Sequence, residues 1–148
     1  MIEPKVFETK DAAYNCGRLL AIFDDLQMAA HEYKLEGPGV VERYYGSASS
    51  APNSAFGILW RLHQHHLRKV AQQGDKGRAA AQAIKRKISE IACLFPQVKP
   101  SLPPQFPRTF ALIEQGRFAL GFYQQKAESE ARRVEALKAR EKAAADAQ

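Results

Sequence analysis

A chain of 148 residues can bury one modest core, and its 45% hydrophobic content belongs to a globular sequence rather than a disordered one. No apolar run approaches the ~20 residues needed to span a bilayer. The net charge of +6 is unevenly placed: residues 1–60 carry five Lys/Arg against eight Asp/Glu, residues 61–88 eight against Asp75 alone, and residues 89–148 nine against seven. A patch this focused implies a polyanionic partner, with nucleic acid the common case and an anionic membrane surface the rarer one. The opening Met1-Ile2-Glu3-Pro4-Lys5 has neither the charged nor the apolar region of a signal peptide. A cytoplasmic address is the resulting expectation. Cys16 and Cys93 are far apart, so they read as buried hydrophobes rather than a disulfide framework or a zinc site.

Residues 11–35 read as an amphipathic helix with Asp11 as its N-cap. Cys16, Leu19, Leu20, Phe23, Leu26, Ala30 and Tyr33 recur on one face. Gly37-Pro38-Gly39 ends it. A short helix over Val40 to Ala48 offers Val41, Tyr44 and Tyr45 for packing, and a Ser-rich loop leads to Pro52, suited to a helix's first turn. The third helix spans about 53–73. Phe56, Leu59, Trp60, His63, Leu67 and Val70 face inward, and Arg61, His65, Arg68 and Gln72 share another face. Gly74-Asp75-Lys76-Gly77 reads as a turn. A fourth helix then runs to Leu94, with Ala81, Ile84, Ile88, Ile91 and Phe95 inward and Arg78, Gln82, Lys85 and Ser89 outward. The short turn predicts an antiparallel pair with its basic faces side by side.

Pro96, Pro100, Pro103, Pro104 and Pro107 make residues 96–107 an extended linker. The last helix is expected from about Arg108, apolar through Phe110, Leu112, Ile113, Phe118, Leu120 and Phe122, with Gly116 and Gly121 permitting close approach. Beyond Gln125 an Ala/Glu/Lys/Arg run has almost nothing to bury. The expected architecture is all-α: a bundle of about five helices over residues 1–127, and a solvated or frayed helical extension over 128–148. Deleting the chain after Ala127 should then leave folding nearly unchanged.

Catalytic chemistry finds no foothold. His63 and His66 stand one helical turn apart, but no third zinc ligand, HExxH or CxxC accompanies them. Ser47, Ser49, Ser50 and Ser54 lack a GxSxG context. Asp24-Asp25 lacks the acidic cluster expected of a magnesium site, and no GxxxxGK[ST] loop is present. The expectation is a non-enzyme with no catalytic residues, no metal and no cofactor. Arg61, His65, Arg68, Lys69, Lys76, Arg78, Lys85, Arg86 and Lys87 form the candidate nucleic-acid-binding set, almost free of compensating acids. A solvated face that only maintains solubility is the competing reading. No base-reading motif accompanies the set, so contact with the nucleic-acid backbone is what it predicts.

Three segments carry a family resemblance. Tyr14-Asn15-Cys16-Gly17-Arg18-Leu19-Leu20-Ala21, then Val41-Glu42-Arg43-Tyr44-Tyr45-Gly46-Ser47-Ala48-Ser49 with Phe56 and His65-His66-Leu67, then Gln115-Gly116-Arg117-Phe118-Ala119-Leu120-Gly121-Phe122-Tyr123-Gln124 occur in order. Together they resemble the C-terminal region of the large subunit of type I-C CRISPR Cascade complexes, over about residues 12–127. That family also makes this region separately, by internal initiation, as the complex's small subunit, and a chain opening on its own Met1 is similar to it. The resemblance implies a non-catalytic helical bundle, present in more than one copy, that contacts the Cascade backbone and large subunits. It also implies a role in steadying the displaced, single-stranded non-target DNA of the R-loop. Guide RNA would be met only through the complex, and a membrane not at all. Protein contacts to the strand backbone can tip a nearly balanced strand exchange, and a basic face without base readers suits that task. A purely architectural subunit, bridging its neighbours without touching DNA, is the alternative. Arg43, Tyr44, Tyr45 and Arg117 fall within the motifs, where packing or subunit contact is as natural a role as binding.

Overall fold

The computed structural model describes residues 6–99 and 102–148; Met1–Lys5 and Pro100 of the sequence reading lie outside them. The fold is an all-α bundle of α1 (Ala12–Ala30), α2 (Val40–Ser50), α3 (Pro52–Ala71), α4 (Gly74–Ala92) and α5 (Leu112–Asp146). No strand occurs among the described residues.

Helix α1 is the axis of the bundle and meets all four other helices, α5 most extensively. Asp11 caps it, accepting from the Tyr14 amide at 2.8 Å. Residues 13–23 are buried without a break, as expected of a helix enclosed on every side. Leu19, Leu20, Phe23 and Leu26 form the core with Phe56, Leu59 and Phe118.

The helix ends five residues earlier than its pattern suggested. Glu32 and Tyr33 take left-handed backbone angles (φ 53° and 62°) and turn the chain out. Tyr33 is consequently 61% exposed rather than in the core, and its ring lies under the Arg133 guanidinium, 5.5 Å from the centroid.

Helix α3 begins with Pro52 in its first turn, where the missing N–H costs nothing. The link to α4 is shorter than the Gly-Asp-Lys-Gly turn implied: α4 already starts at Gly74, whose φ of 86° only glycine adopts freely. Gly77 lies inside α4, against the Val70 carbonyl of α3, where a Cβ would collide. This close approach fixes α3 and α4 as neighbours.

The Pro-rich segment has no regular structure over its described residues, yet it belongs to the core. Phe106 is buried, stacked on Phe56 at 4.8 Å and packed against Phe95 at 4.9 Å. The Pro107 carbonyl accepts from the Asn53 amide at 3.0 Å and the Ser50 carbonyl from the Phe110 amide at 3.1 Å, so the segment is pinned across the α2–α3 junction.

Helix α5 starts at Leu112 rather than at 108, with the Glu114 side chain accepting from the Ala111 amide at 2.9 Å. At 35 residues it is about 50 Å long. Its buried residues are Phe118, Gly121, Phe122 and Gln125. Leu112, Ile113 and Leu120, expected inside, are 84%, 73% and 48% exposed. The helix continues unbroken past residue 127. Glu128 meets Lys87 at 4.0 Å, Arg133 lies over the Tyr33 ring, and every residue past Ala131 is exposed.

Candidate nucleic-acid interface

Helices α3 and α4 carry all nine residues of the candidate set, and the structure divides them. Arg61, His65, Arg68, Lys76, Lys85 and Arg86 are exposed and make no ion pair among the described residues. Arg78 is exposed but paired with Asp75 one turn earlier. Lys69 is half-buried and close enough to disfavour a charge on His66. Lys87 turns to the opposite side of α4, toward Glu128 of α5, and leaves the basic face. Six of the nine residues therefore present their side chains to solvent with no ion-pair partner among the described residues.

Arg68 and Lys85 come together around a groove of about 400 Å³ between α3 and α4. Its walls include Trp60, Leu67, Ala81 and Ile88, with Gln64, Gln82 and Ser89 supplying neutral polar groups. Arg61 lines a neighbouring hollow with Trp60, Gln64 and Pro103. Trp60 is thus common to both hollows, a role its reading as a core residue missed. The signal was available, because Trp60, Gln64 and Leu67 run along α3 directly beside Arg61 and Arg68.

The histidines next to this face are packed rather than poised for ligation. His63 stacks on Phe23 at 4.9 Å and meets Trp60 edge-on at 4.6 Å. Burial lowers its pKa to about 4. His66 is likewise lowered to about 4, by burial first and then by His31, His65 and Lys69. No three His, Cys, Asp or Glu side chains converge on a point among the described residues. Cys16 is buried, with its thiol pKa pushed up by desolvation and then by Asp11, while Cys93 is exposed rather than buried as its sequence context suggested.

Most residues of the three motif segments meet where α1, α2 and α5 pack together, whereas His65-His66-Leu67 of the second lies on α3 beside the basic face. Gly17 of α1 faces the Phe118 carbonyl and Gly121 of α5 faces the Tyr14 carbonyl, each too close for a Cβ. The Tyr14 hydroxyl donates to Gln124 Oε1 at 2.5 Å. Arg18, nine-tenths buried, donates to Gln125 Oε1 and Asn15 Oδ1, both at 3.2 Å. Tyr45 of α2 sets its ring edge-on to Phe118 at 5.4 Å and Phe122 at 5.3 Å. Arg117 pairs with the capping Asp11 at 3.2 Å, and Lys126 bridges to Asp24 and Asp25 of α1. Most of the motif residues therefore specify a helix-packing unit, while Arg43 and His65 are exposed.

The family model of the CRISPR-associated protein Cas_Csd1 matches residues 7–129, the whole of this unit and the basic pair besides. The chain belongs to the Cas_Csd1 family. It is accordingly a CRISPR-associated protein of the Cascade type. No curated protein matches the chain. The matched span takes in α1 to α4 and the packed half of α5, so the basic face belongs to the family domain itself.

Proposed function

We propose that this chain serves as a non-catalytic small subunit of a type I-C Cascade complex, holding the backbone of the displaced DNA strand on the exposed face of α3 and α4. The observation that carries the reading is the set Arg61, Arg68, Lys85 and Arg86: four exposed cations on two adjacent helices, none paired with a carboxylate among the described residues. Such a face attracts phosphates through charge, and in releasing their counterions it gains affinity without reading bases. It acts in a strand exchange that is nearly balanced in free energy, so a few backbone contacts are enough to favour the opened duplex. The test is a complex reconstituted with the quadruple Ala variant at these positions. R-loop formation should weaken while the variant still assembles.

A second role is compatible with the first and rests on α5. Leu112, Ile113, Leu120 and Tyr123 are exposed at 84%, 73%, 48% and 65% on the part of the helix that also packs the bundle. Apolar groups grouped this way mark a protein contact, here to the Cascade backbone or large subunits or to a second copy of the chain. With this second role, α5 carries assembly and α3–α4 carries nucleic acid; the purely architectural alternative would keep the α5 contact alone. No helix among the described residues is long and apolar enough to cross a membrane.

A further inference from the structure

The groove between α3 and α4 has more than charge. Its walls are largely apolar, through Trp60, Leu67, Ala81 and Ile88, and among the described residues Arg68 of α3 and Lys85 of α4 are the charged ones that line it. A larger hollow beside the N-terminal segment is different: it has Lys10, Arg18 and Lys87 against Glu8, Glu90 and Glu128, so its charges cancel. Trp60 is held by Phe23, His63 and Phe106, with ring centroids at 6.4, 4.6 and 6.4 Å, and His63 lines the groove beside it. A ring fixed in this way loses little freedom when a flat partner packs on it. The groove's volume of about 400 Å³ exceeds what two phosphates touching Arg68 and Lys85 would occupy, and it falls in the range of small-molecule sites, about 300–1,000 Å³.

We infer that the α3–α4 groove receives an unpaired nucleobase, packed against Trp60, while Arg68 and Lys85 hold the phosphates on either side of it. The occupant is single-stranded nucleic acid. A duplex keeps its bases stacked inside, whereas an unpaired strand can turn one outward onto an aromatic wall. Gln64, Gln82 and Ser89 offer donors and acceptors without charge, which tolerates any base edge. The site therefore selects single strands over duplex without selecting sequence. The inference rests on the basic-face reading above and adds to it a base-dependent contact.

Trp60 is the protein's one tryptophan, so its fluorescence reports the groove and the neighbouring hollow that it also lines. The full-length chain is titrated with oligothymidylate and with an abasic deoxyribose-phosphate strand of the same length. Oligothymidylate is expected to quench Trp60 and to bind about tenfold more tightly than the abasic strand, the worth of one stacked base. Both strands should show the same salt slope. A Trp60→Leu variant, checked for an unchanged helical spectrum, should bind the two strands equally. If the wild type binds both strands alike with the same salt slope, base insertion is overturned and the backbone face stands. Equal quenching by both strands also overturns it, since the signal then follows charge rather than the base. If neither strand binds, the basic-face reading falls with it.

Discussion

Two buried histidines make the fold sensitive to acid. The ordinary value of 6.5 is lowered to about 4 for both His63 and His66. The native state therefore holds them neutral while the unfolded chain takes up protons below about pH 6.5. Stability is full above that pH and declines as pH falls toward 4, by on the order of 2–3 kcal/mol for each histidine. Denaturant titrations at pH 8, 6 and 4.5 check this. His63→Leu and His66→Leu should flatten the profile, and a pH-independent wild type would contradict the assignment. The glycines give a paired test. Gly121→Ala drives a Cβ into the Tyr14 carbonyl and should cost at least about 1–3 kcal/mol. Gly116→Ala meets open space in the same helix and should stabilise by about 0.5–1 kcal/mol. Melting temperatures that move in the same direction for both would contradict the packing described. The sequence marked Gly116 and Gly121 alike as close-approach residues; only the register of α5 on α1 separates them.

Among the elements, α5 was the least legible. Between Phe110 and Tyr123 its sequence is apolar on almost every side, so density alone could not give the buried face. That face is set by two glycines, Gly17 and Gly121, which let α1 and α5 approach and carry Phe118 and Phe122 inward. Phe118 is fully buried, so Phe118→Ala should cost ~3–5 kcal/mol in equilibrium unfolding. Leu120→Asp on the exposed side should leave the midpoint nearly unchanged and impair incorporation into the complex. Loss of the midpoint instead would place Leu120 in the core. Past Ala131 every residue of the helix is exposed, so truncation after Arg133 should leave the melting temperature nearly unchanged. Helices α1, α3 and α4 were readable because each has apolar residues at helical spacing and a cap or breaker near its start: Asp11, Pro52 and Gly74. Phe106 was not readable. A Pro-rich segment has no period, and only the gap left by Phe56 and Phe95 draws the ring inside.

At the scale of the whole molecule, packing and charge occupy opposite sides. Most of the motif residues hold α1, α2 and α5 together, while the uncompensated cations stand on α3 and α4. Charge counting along the sequence found the second side, since residues 61–88 have one acid among eight bases. It could not see that Lys87 turns to Glu128 and Arg78 to Asp75, because both partners depend on how helices and turns are placed in space. The central claim is that Arg61, Arg68, Lys85 and Arg86 bind phosphates through charge. The direct measurement is the salt dependence of single-stranded DNA binding by the wild type and the quadruple Ala variant. Four displaced counterions at ~0.7 each give a slope of about −2.8 in log K against log salt, roughly a fifty-fold loss between about 50 and 200 mM. That slope is expected for the wild type, and a much flatter one for a variant that keeps its helical spectrum and still joins the complex. A variant with the wild-type slope, or a complex forming R-loops as well with it as without it, would contradict the claim.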